Sequence, residues 1–405
     1  MDKNKRLTVW LPIIIAASIA LGIFIGNHYL SISQGKKRSY SSGNKINAIL
    51  DIIDEQYVDT VSMSKLVEST IPKIFSELDP HSVYIPAEDA SVVNEELEGS
   101  FSGIGVSFNM QTDTILVISV ISGGPAEKAG LLPFDRIISI NDSIFSGKKK
   151  NQGEIMKTLR GAKNSTVKLG VQRGNSPELL YFDVTRGDVP VNSVDVSFEA
   201  AKGIGYIKVS KFARNTYNEF ITAIAKLKQA GCTSFVIDLR GNTGGYMDAA
   251  INMINEFMPE GRLIVYTEGK SFPRSDVYAN GTGTCKDAPI VVLTDEISAS
   301  ASEIFSGAIQ DNDRGTIIGR RTYGKGLVQT QMSLSDGSEM RLTIARYYTP
   351  SGRCIQKKYE MGNTDAYDQD IYNRYMHGEF DSADSIKMDD SLKYQTVGGR
   401  TVYGG

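Results

Sequence analysis

Apolar positions recur with helical spacing in the first hundred residues. Between Asn44 and Leu78 they include Ile46, Ile49, Leu50, Ile53 and Tyr57. Intervals of three and four residues place such side chains on one face of an amphipathic helix. The pattern stops at "LDPHSVYIP", where two prolines interrupt it, and His81 is interpreted as a turn residue that bonds the local backbone. Two short helices are therefore predicted within an N-terminal helical segment over residues 41–97.

The pattern changes to short strands and turns after Glu98. The stretches "SFSGIGVSFNM", "TILVISVISGG", "DRIISIND" and "STVKLGVQR" have the composition of strands bounded by turn residues. Between the last two, "QGEIMKTLRG" has apolar residues at helical spacing. A small β-rich domain is therefore predicted over residues 98–187.

Strands and helices alternate from Gly203 onward. "IGYIKVS", "TSFVIDL", "RLIVYT", "PIVVLT" and "TIIG" are rich in β-branched residues, and helical patterns such as "TYNEFITAIAKLKQAG" separate them. This alternation predicts an α/β core with a largely parallel sheet over residues 188–358. Ligands of such sheets bind beyond the carboxyl ends of the strands. Two unusual loops follow strands there, "DLRGNTGG" and "TDEISASASEIF".

One apolar stretch precedes all of these segments. About 20 mostly apolar residues over 7–26 are enough to cross a hydrocarbon core, and Lys3, Lys5 and Arg6 come before them. We predict a single N-terminal membrane anchor with a cytoplasmic tip, followed by a polar linker to residue 40. Basic residues stay on the cytoplasmic side, so the rest of the chain is expected to be extracytoplasmic, or periplasmic. A cleaved signal peptide is the alternative.

The composition of the chain limits the ligands and the catalytic groups that can be expected. A chain of 405 residues exceeds one ordinary domain, and a net charge of −3 gives no reason to expect nucleic acid. Its three cysteines are scattered, without the close pairing of zinc sites, so no metal is predicted. With three histidines in the whole chain, few histidine-based catalytic schemes are available. No cofactor is expected.

The stretch "GRRTYGKG", Gly319 to Gly326, nearly has the spacing of a phosphate-binding loop. A true loop of that kind has Ser or Thr after its lysine and continues into a helix. Here Gly326 follows Lys325, and "LVQTQMSL" has the alternation of a strand. Nucleotide binding is therefore disfavoured, and the glycines are interpreted as a tight turn that places Lys325 at the start of a strand.

Ser300 admits two interpretations. It precedes an apolar helical pattern and stands three residues before Glu303, which is the spacing of a capping box. The same position suits a nucleophile, because a helix N-terminus presents free amides to a developing oxyanion. A lysine whose pKa is lowered by burial can serve as the base. A dyad of Ser300 and Lys325 is chemically reasonable, and the sequence pattern alone does not decide between cap and nucleophile.

Two resemblances add to this interpretation. Residues 98–187 resemble a PDZ domain, since "GIGV" stands where that family binds the peptide carboxylate and "GGPAEKAGLLPFDRIISIND" is similar to its most recognisable stretch. The residues that the resemblance assigns to binding a peptide C-terminus are Gly103, Ile104, Gly105 and Val106. Backbone amides exposed beside glycines can hold a carboxylate, and a strand edge can accept an extended peptide.

The stretch from "SASASEIFSGAIQDN" to "YGKGLVQ", with "DLRGNTGG", "LDPHSVY" and "RYYTPSGRCIQ", closely resembles the carboxyl-terminal processing (tail-specific) protease family over about residues 44–358. The resemblance implies a crotonase-like αβ serine protease core with an inserted PDZ domain. It also implies Ser300 as nucleophile, Lys325 as general base and Gln329 as the residue that orients the lysine. Gln329 lies four residues after Lys325, so in a strand both would point to one face.

The same resemblance extends to the surroundings of the dyad. It implies an oxyanion hole from the amides of Ala301 and Gly245, with Gly244 as the next choice. Supporting roles fall to Asp238, Arg240 and Glu303, for which a structural ion pair and a helix cap are the respective alternatives. The glycines are also compatible with a simple strand-to-helix turn, and Gln329 with an exposed strand residue.

These observations predict a membrane-anchored serine endopeptidase that cleaves protein substrates near their C-termini. Its PDZ domain would bind apolar C-termini of proteins or peptides. The rival hypothesis is an inactive PDZ scaffold that only tethers peptides. The tail over residues 359–405 has no assigned role, and both packing on the core and homo-oligomerisation are compatible with its sequence.

Overall fold

The computed structural model describes residues 16–23, 42–111, 114–144, 152–386 and 388–404. Of the predicted anchor, only residues 16–23 fall in these ranges, and they form helix α1. Within the described ranges, no helix is long and apolar enough to cross a membrane. The remainder of the predicted anchor and the linker lie outside the described residues.

The chain divides into two compact units, residues 1–69 and residues 70–405. The two predicted helices near the N-terminus are confirmed as α2 (Ser42–Gln56) and α3 (Met63–Ser76). Helix α2 exposes several of its apolar side chains to solvent, among them Ile46, Ile49 and Ile52. Two further elements follow that the pattern did not predict, strand β1 (Val83–Ile85) and helix α4 (Ala87–Glu98).

A β-rich domain follows α4. Its elements are β2 (Ser100–Gly103), β3 (Val106–Gln111), β4 (Thr114–Val120), α5 (Pro125–Ala129), β5 (Arg136–Ile140), β6 (Ser143–Ile144), α6 (Gln152–Leu159), β7 (Thr166–Gln172), β8 (Leu180–Thr185) and β9 (Gly187–Pro190). The main sheet has the order β3-β4-β5-β7-β8, so β3 is an edge strand, and β6 pairs with β5. Alternate residues such as Val117, Ile137 and Leu169 point into one buried core, as strand periodicity requires. Strands β2 and β9 pair with each other beside this sheet.

The larger core contains the predicted parallel sheet. It is built from β10 (Val194–Ala201), β11 (Ile204–Val209), α7 (Thr216–Gln229), β12 (Ser234–Asp238), α8 (Met247–Asn255), β15 (Ile290–Thr294), α9 (Ala301–Asp311) and β16 (Thr316–Gly319). The order is β10-β11-β12-β15-β16, with all neighbours parallel except β10 and β11. Phe220, Phe235 and Phe305 each meet Phe257 at 6.2–6.4 Å in edge-to-face contacts. These buried rings join the three helices to the sheet.

A second, antiparallel sheet lies in the same unit. It contains β13 (Leu263–Glu268), β14 (Ser275–Tyr278), β17 (Leu327–Ser333) and β18 (Glu339–Tyr348) together with β1. Strand β13 corresponds to "RLIVYT", which the alternation placed in the parallel sheet. That placement is wrong, because β13 pairs antiparallel with β14 and β18. Periodicity predicts a strand but not the sheet that it joins.

The tail over residues 359–404 packs on the core. Its elements are α10 (Thr364–Asp368), α11 (Asp370–Met376), two 3₁₀ turns (Ala383–Ser385 and Asp390–Leu392), β19 (Lys393–Gln395) and β20 (Thr401–Tyr403). The hairpin of β19 and β20 contacts the end of α9, where the Val397 N–H donates to the Asp311 carbonyl oxygen at 2.9 Å. Arg353 Nη1 donates to the Tyr403 carbonyl oxygen at 3.0 Å.

Candidate active site

Ser300 sits at a sharp turn between β15 and α9. Its backbone has φ 53° and ψ −113°, a combination that costs a residue other than glycine about 1–3 kcal/mol. The strain is maintained by neighbouring contacts, since the Ala299 N–H donates to the Asn242 carbonyl oxygen at 3.0 Å. Ser298 Oγ donates to the Leu239 carbonyl oxygen at 2.8 Å. A strained, tightly held serine at the first turn of a helix is a candidate nucleophile.

Glu303 connects the serine loop to the lysine loop. Its Oε2 accepts hydrogen bonds from the Ser300 N–H and the Lys325 N–H, both at 2.8 Å. Its Oε1 accepts from Thr322 Oγ1 at 2.7 Å and from the Gly324 N–H at 2.6 Å. Burial raises the pKa of the carboxyl, and these four donors oppose that rise. The predicted cap contact is thus confirmed, and the same carboxylate fixes the main chains of Ser300 and Lys325 relative to each other.

Lys325 lies in the loop that leads into β17. The strand begins at Leu327, so the prediction that Lys325 starts the strand is wrong by two residues. The loop is held at the Tyr323 N–H, which donates to the Ser298 carbonyl oxygen at 3.0 Å, and at the Gly326 N–H, which donates to Gln356 Oε1 at 2.9 Å. Lys325 is half-buried. Burial, followed by the charge of Arg341, lowers the pKa of its ammonium group, which is what a lysine base requires.

Gln329 lies in β17 and faces the "LDPHS" turn. Its Nε2 donates to the carbonyl oxygen of His81. The pairing of β17 with β18 shifts between Val328 and Gln329, whose partners are Ala345 and Thr343. Because Lys325 precedes the strand and the register is irregular, simple alternation does not relate Lys325 to Gln329. Because the amide nitrogen of Gln329 donates to His81, its amide oxygen is the group that can accept a hydrogen bond from an ammonium or amine.

His81 belongs to this site as well as to its turn. Its N–H donates to the side-chain oxygen Asp79 Oδ1 at 3.0 Å, so the turn is confirmed, whereas the predicted bond of His81 to the local backbone is not observed. Its ring Nε2 is 2.9 Å from Tyr367 Oη. Burial, followed by the positive charge of Lys325, lowers the pKa of the imidazole to about 4. The ring is therefore neutral at physiological pH, and the turn lies close to the lysine.

The low pKa of His81 predicts a pH-dependent stability. Since the unfolded chain has a histidine pKa of about 6.5, it takes up a proton before the folded state does as the pH falls. The free energy of unfolding should therefore decrease as the pH drops from about 6.5 to about 4. Replacing His81 with glutamine should remove about 1–2 kcal/mol of that decrease. Urea denaturation of both proteins at pH 7 and pH 4.5 measures it. His377→Gln is the control, and an equal decrease in all three proteins would contradict the assignment.

Gly244 approaches the serine closely, whereas a Cβ added at Gly245 would meet the backbone of Phe212. A Cβ added at Gly244, whose φ is +103°, would lie 2.7 Å from Ser300 Cβ and 3.1 Å from the Ala301 nitrogen. The Gly244 N–H already donates to Asn242 Oδ1 at 2.9 Å. Among the described residues, no partner exists for the N–H groups of Gly245 and Ala301. Of the two predicted glycines, only Gly245 has an N–H without a partner among the described residues.

Asn242 organises this turn and was missed by sequence reasoning. It is completely buried, and its Nδ2 donates to the Val209 carbonyl oxygen at 3.0 Å. Its own carbonyl oxygen accepts from the Ala299 N–H and from Ser302 Oγ, each at 3.0 Å. The only signal in the sequence was a polar residue inside a glycine-rich loop. Asn242 therefore joins "DLRGNTGG" to "SASAS".

Buried Asp238 forms an ion pair with the exposed Arg240 at the end of β12. Asp238 Oδ2 accepts from Arg240 Nη2 at 2.7 Å and from Tyr206 Oη at 2.6 Å. Burial alone would raise the pKa of this carboxyl, but the hydrogen bonds from Arg240 and Tyr206 outweigh it and lower the pKa to about 2. Within the described residues, no hydrogen bond joins the pair to Ser300 or Lys325. Its contacts shape the loop that carries Gly244 and Gly245.

The predicted carboxylate loop occurs between β2 and β3. The carbonyl oxygens of Ile104 and Gly105 accept hydrogen bonds from the Ala126 and Ile121 N–H groups, at 2.7 and 3.0 Å. In a trans peptide the following N–H points the opposite way, so the N–H groups of Gly105 and Val106 face outward. The Ile104 side chain is buried in the domain core, whereas Gly103 pairs with Gly187. The outward amides lie beside the edge strand β3, as a peptide site requires.

Comparisons with known proteins agree with this arrangement. The model of peptidase family S41 matches residues 203–365, and a PDZ domain model matches residues 102–195. The carboxy-terminal processing protease CtpB of Bacillus subtilis (strain 168) is 35% identical over 318 residues, which are 78% of this chain and 66% of that protein. A probable CtpA-like serine protease of Staphylococcus aureus (strain N315) is 33% identical over 365 residues, which are 88% of this chain and 72% of that protein.

A solved structure titled photosystem II D1 C-terminal processing protease is 28% identical and covers 78% of this chain and 91% of its own, with a TM-score of 0.44. The chain spans about two thirds of the length of the Bacillus relative. The family is identified by the matched domain models and by the two relatives, whose alignments cover 78% and 88% of this chain. The chain belongs to peptidase family S41, the C-terminal processing serine proteases, and contains the PDZ domain of such a protease.

Proposed function

We propose that this protein is an endopeptidase that uses Ser300 as nucleophile and Lys325 as general base. The observation that carries the proposal is the shared carboxylate oxygen of Glu303, which binds the main-chain N–H groups of both residues at 2.8 Å. A single rigid acceptor keeps nucleophile and base in one constellation although 25 positions separate them in the chain (325 − 300). The lowered pKa of Lys325 and the strained backbone of Ser300 support the same roles.

The reaction follows from these groups. Neutral Lys325 Nζ accepts the hydroxyl proton as Ser300 Oγ bonds to the scissile carbonyl carbon. The resulting oxyanion is stabilised by the N–H groups of Ala301 and Gly245. The oxyanion then collapses and the carbon–nitrogen bond breaks, while the Lys325 ammonium gives its proton to the departing amine and an ester remains on Ser300. A water molecule gives a proton to Lys325 as it attacks the ester carbon. The bond to Ser300 Oγ then breaks, and Lys325 returns that proton to the serine. The free amide oxygen of Gln329 orients the lysine by accepting one of its hydrogens.

The PDZ domain selects the substrate by its C-terminus. Its outward amides at Gly105 and Val106 bind the terminal carboxylate, and the peptide extends along the free edge of β3. A carboxylate held by backbone amides requires an unmodified C-terminus, and an apolar last residue suits an uncharged pocket. Peptides with such ends are the proposed ligands.

We also propose that residues 7–26 anchor the protein in a membrane and place the catalytic unit outside the cytoplasm. The support is the length of the apolar stretch and the basic residues before it. Proteolysis of sealed vesicles or spheroplasts tests it: an external protease should degrade the catalytic unit. A catalytic unit protected until lysis would contradict this orientation.

Dependence on the substrate C-terminus separates the protease from a scaffold. A purified protein starting near Ser41 should cleave an unstructured substrate that ends in apolar residues, with products detected by mass spectrometry. Ending the same substrate in two aspartates should lower kcat/KM about 10-fold or more. Two negatively charged and strongly hydrated side chains are bound poorly by a site that prefers an apolar last residue. The matched control is the apolar substrate with an amidated C-terminus. Tight peptide binding without any cleavage would favour the scaffold.

A further inference from the structure

The C-terminal tail contacts the loop that carries the general base. Arg374 of α11 is only 4% exposed, although its side chain is charged. Its Nη1 donates to the Thr322 carbonyl oxygen at 3.1 Å, and its Nη2 donates to the Arg321 carbonyl oxygen. Its Nε donates to Glu379 Oε2 at 3.2 Å. The guanidinium thus binds two successive main-chain carbonyls just before Lys325.

The opposite side of the same loop is bound by the serine helix. Glu303 accepts hydrogen bonds from Thr322 Oγ1, the Gly324 N–H and the Lys325 N–H. Residues 321–325 are therefore held between a carboxylate on α9 and a guanidinium on α11. The carboxylate binds donors and the guanidinium binds acceptors, so neither can replace the other.

The loop is packed closely at Gly324 but borders open space before it. A Cβ added at Gly324 would lie 2.9 Å from Lys357 Cβ, and the Gly324 carbonyl oxygen accepts from the Lys357 N–H at 2.9 Å. Arg321 and Thr322 line a cavity of about 1330 Å³ together with Glu303 and residues of the tail. On the tail side, the carbonyl oxygens of these two residues are bound by the Arg374 guanidinium, and such hydrogen bonds from a charged donor are strong.

A second tail residue contacts the turn of His81 and the side chain of Gln356. Tyr367 of α10 is buried, and its hydroxyl lies 2.9 Å from His81 Nε2 and accepts from Gln356 Nε2 at 3.2 Å. Gln356 Oε1 in turn accepts from the Gly326 N–H. The tail therefore contacts the lysine loop directly before Lys325, through Arg374, and is linked to Gly326 after it through the bond of Tyr367 to Gln356.

We infer that Arg374 is a positioning residue for the general base, so that the tail over residues 359–404 is part of the active-site scaffold. The inference rests on the proposed function of Lys325 and extends it to a segment for which the sequence offered no role. Without the guanidinium, the carbonyl oxygens of Arg321 and Thr322 lose their donor and the loop relaxes toward the cavity. Lys325 then loses its alignment with Ser300, whereas the PDZ site is untouched.

The test compares Arg374→Ala with Arg400→Ala in the protein that starts near Ser41. Arg400 also belongs to the tail, but its side chain is 57% exposed and contacts Asp313 and the Gln310 carbonyl oxygen at the end of α9, away from the lysine loop. The rate of acylation is measured as the burst of alcohol released from a chromogenic peptide ester, and the affinity of the PDZ domain with a fluorescent apolar peptide. We expect Arg374→Ala to slow acylation about 10- to 100-fold, with the peptide Kd within about twofold of wild type. Arg400→Ala should acylate at nearly the wild-type rate.

Two further measurements keep the result interpretable. Millimolar methylguanidinium should restore part of the acylation rate of Arg374→Ala, because it can occupy the vacated site, and should not affect Arg400→Ala. Arg374→Lys, which keeps a cation and donors, should retain an intermediate rate if the alanine variant does not fold. A folded Arg374→Ala or Arg374→Lys with the wild-type acylation rate would overturn the inference. A wild-type protein without any burst would instead refute the proposed function.

Discussion

Replacing Ser300 with alanine should abolish cleavage, with kcat/KM lowered at least about a thousandfold. The proposed nucleophile stands alone at its strained turn, since Ser300 has φ 53° and ψ −113° and precedes the first residue of α9. The fold should persist, since the Glu303 carboxylate binds the main chain of residue 300 and not its side chain. Circular dichroism and PDZ peptide affinity should match those of wild type.

Ser302→Ala is the matched control for that experiment. Ser302 is buried in the same helical turn, and its Oγ donates to the Asn242 carbonyl oxygen, which the Ala299 N–H also binds. Losing one of two donors should cost about 1 kcal/mol of stability and leave most of the activity. A phosphonate probe should label wild type and Ser302→Ala but not Ser300→Ala. Residual turnover in Ser300→Ala well above background would rule out Ser300 as the nucleophile.

Replacing Lys325 with arginine should be as damaging as removing the amine with methionine. Arginine keeps the positive charge but cannot release its proton in a protein, so it cannot act as a base. Both variants should lose at least about a thousandfold in kcat/KM at every pH between 6 and 10. If Lys325 instead served to bind an anion, arginine would retain function and methionine would lose it. The two substitutions therefore separate a base from a charged ligand.

The pH profile of the wild-type protein tests the same role. Burial and the charge of Arg341 lower the pKa of Lys325, while Asp79 and Glu303 oppose that shift. Only the neutral amine accepts the serine proton, so kcat/KM should rise with pH through the lowered pKa and then level off. Arg341→Gln should move the rise to higher pH, because a neighbouring positive charge is lost. Arg320→Gln is the control, because the Arg320 side chain is exposed and pairs with Glu296. A profile that is flat in pH would contradict a lysine base.

The resemblance of short motifs predicted the roles of Ser300 and Lys325 and a supporting role for Glu303, whereas the contacts that hold the site together could not be predicted. "SASAS", "YGKG" and "DLRGNTGG" are short motifs whose residues act within a few positions of one another. The roles of Asn242, Glu303 and Arg374 depend on contacts that span 60, 22 and 52 positions. Periodicity and composition carry no information on such pairs. The same limitation explains why β13 was placed in the wrong sheet and why alternation failed between Lys325 and Gln329.

The sequence by itself determined which residues are chemically able to act, and it determined the order of the segments: helices, a β-rich domain with exposed amides, and a core with a parallel sheet. These follow from side-chain chemistry and from the periods of helices and strands, which are local properties. Tertiary structure alone decided that the Gly244 N–H is bound by Asn242, whereas the Gly245 N–H has no partner among the described residues. It also decided that one carboxylate binds the main chains of both Ser300 and Lys325 and that Arg374 of the tail binds the lysine loop. Hydrogen-bond partners depend on the folded arrangement of the chain and not on proximity in sequence.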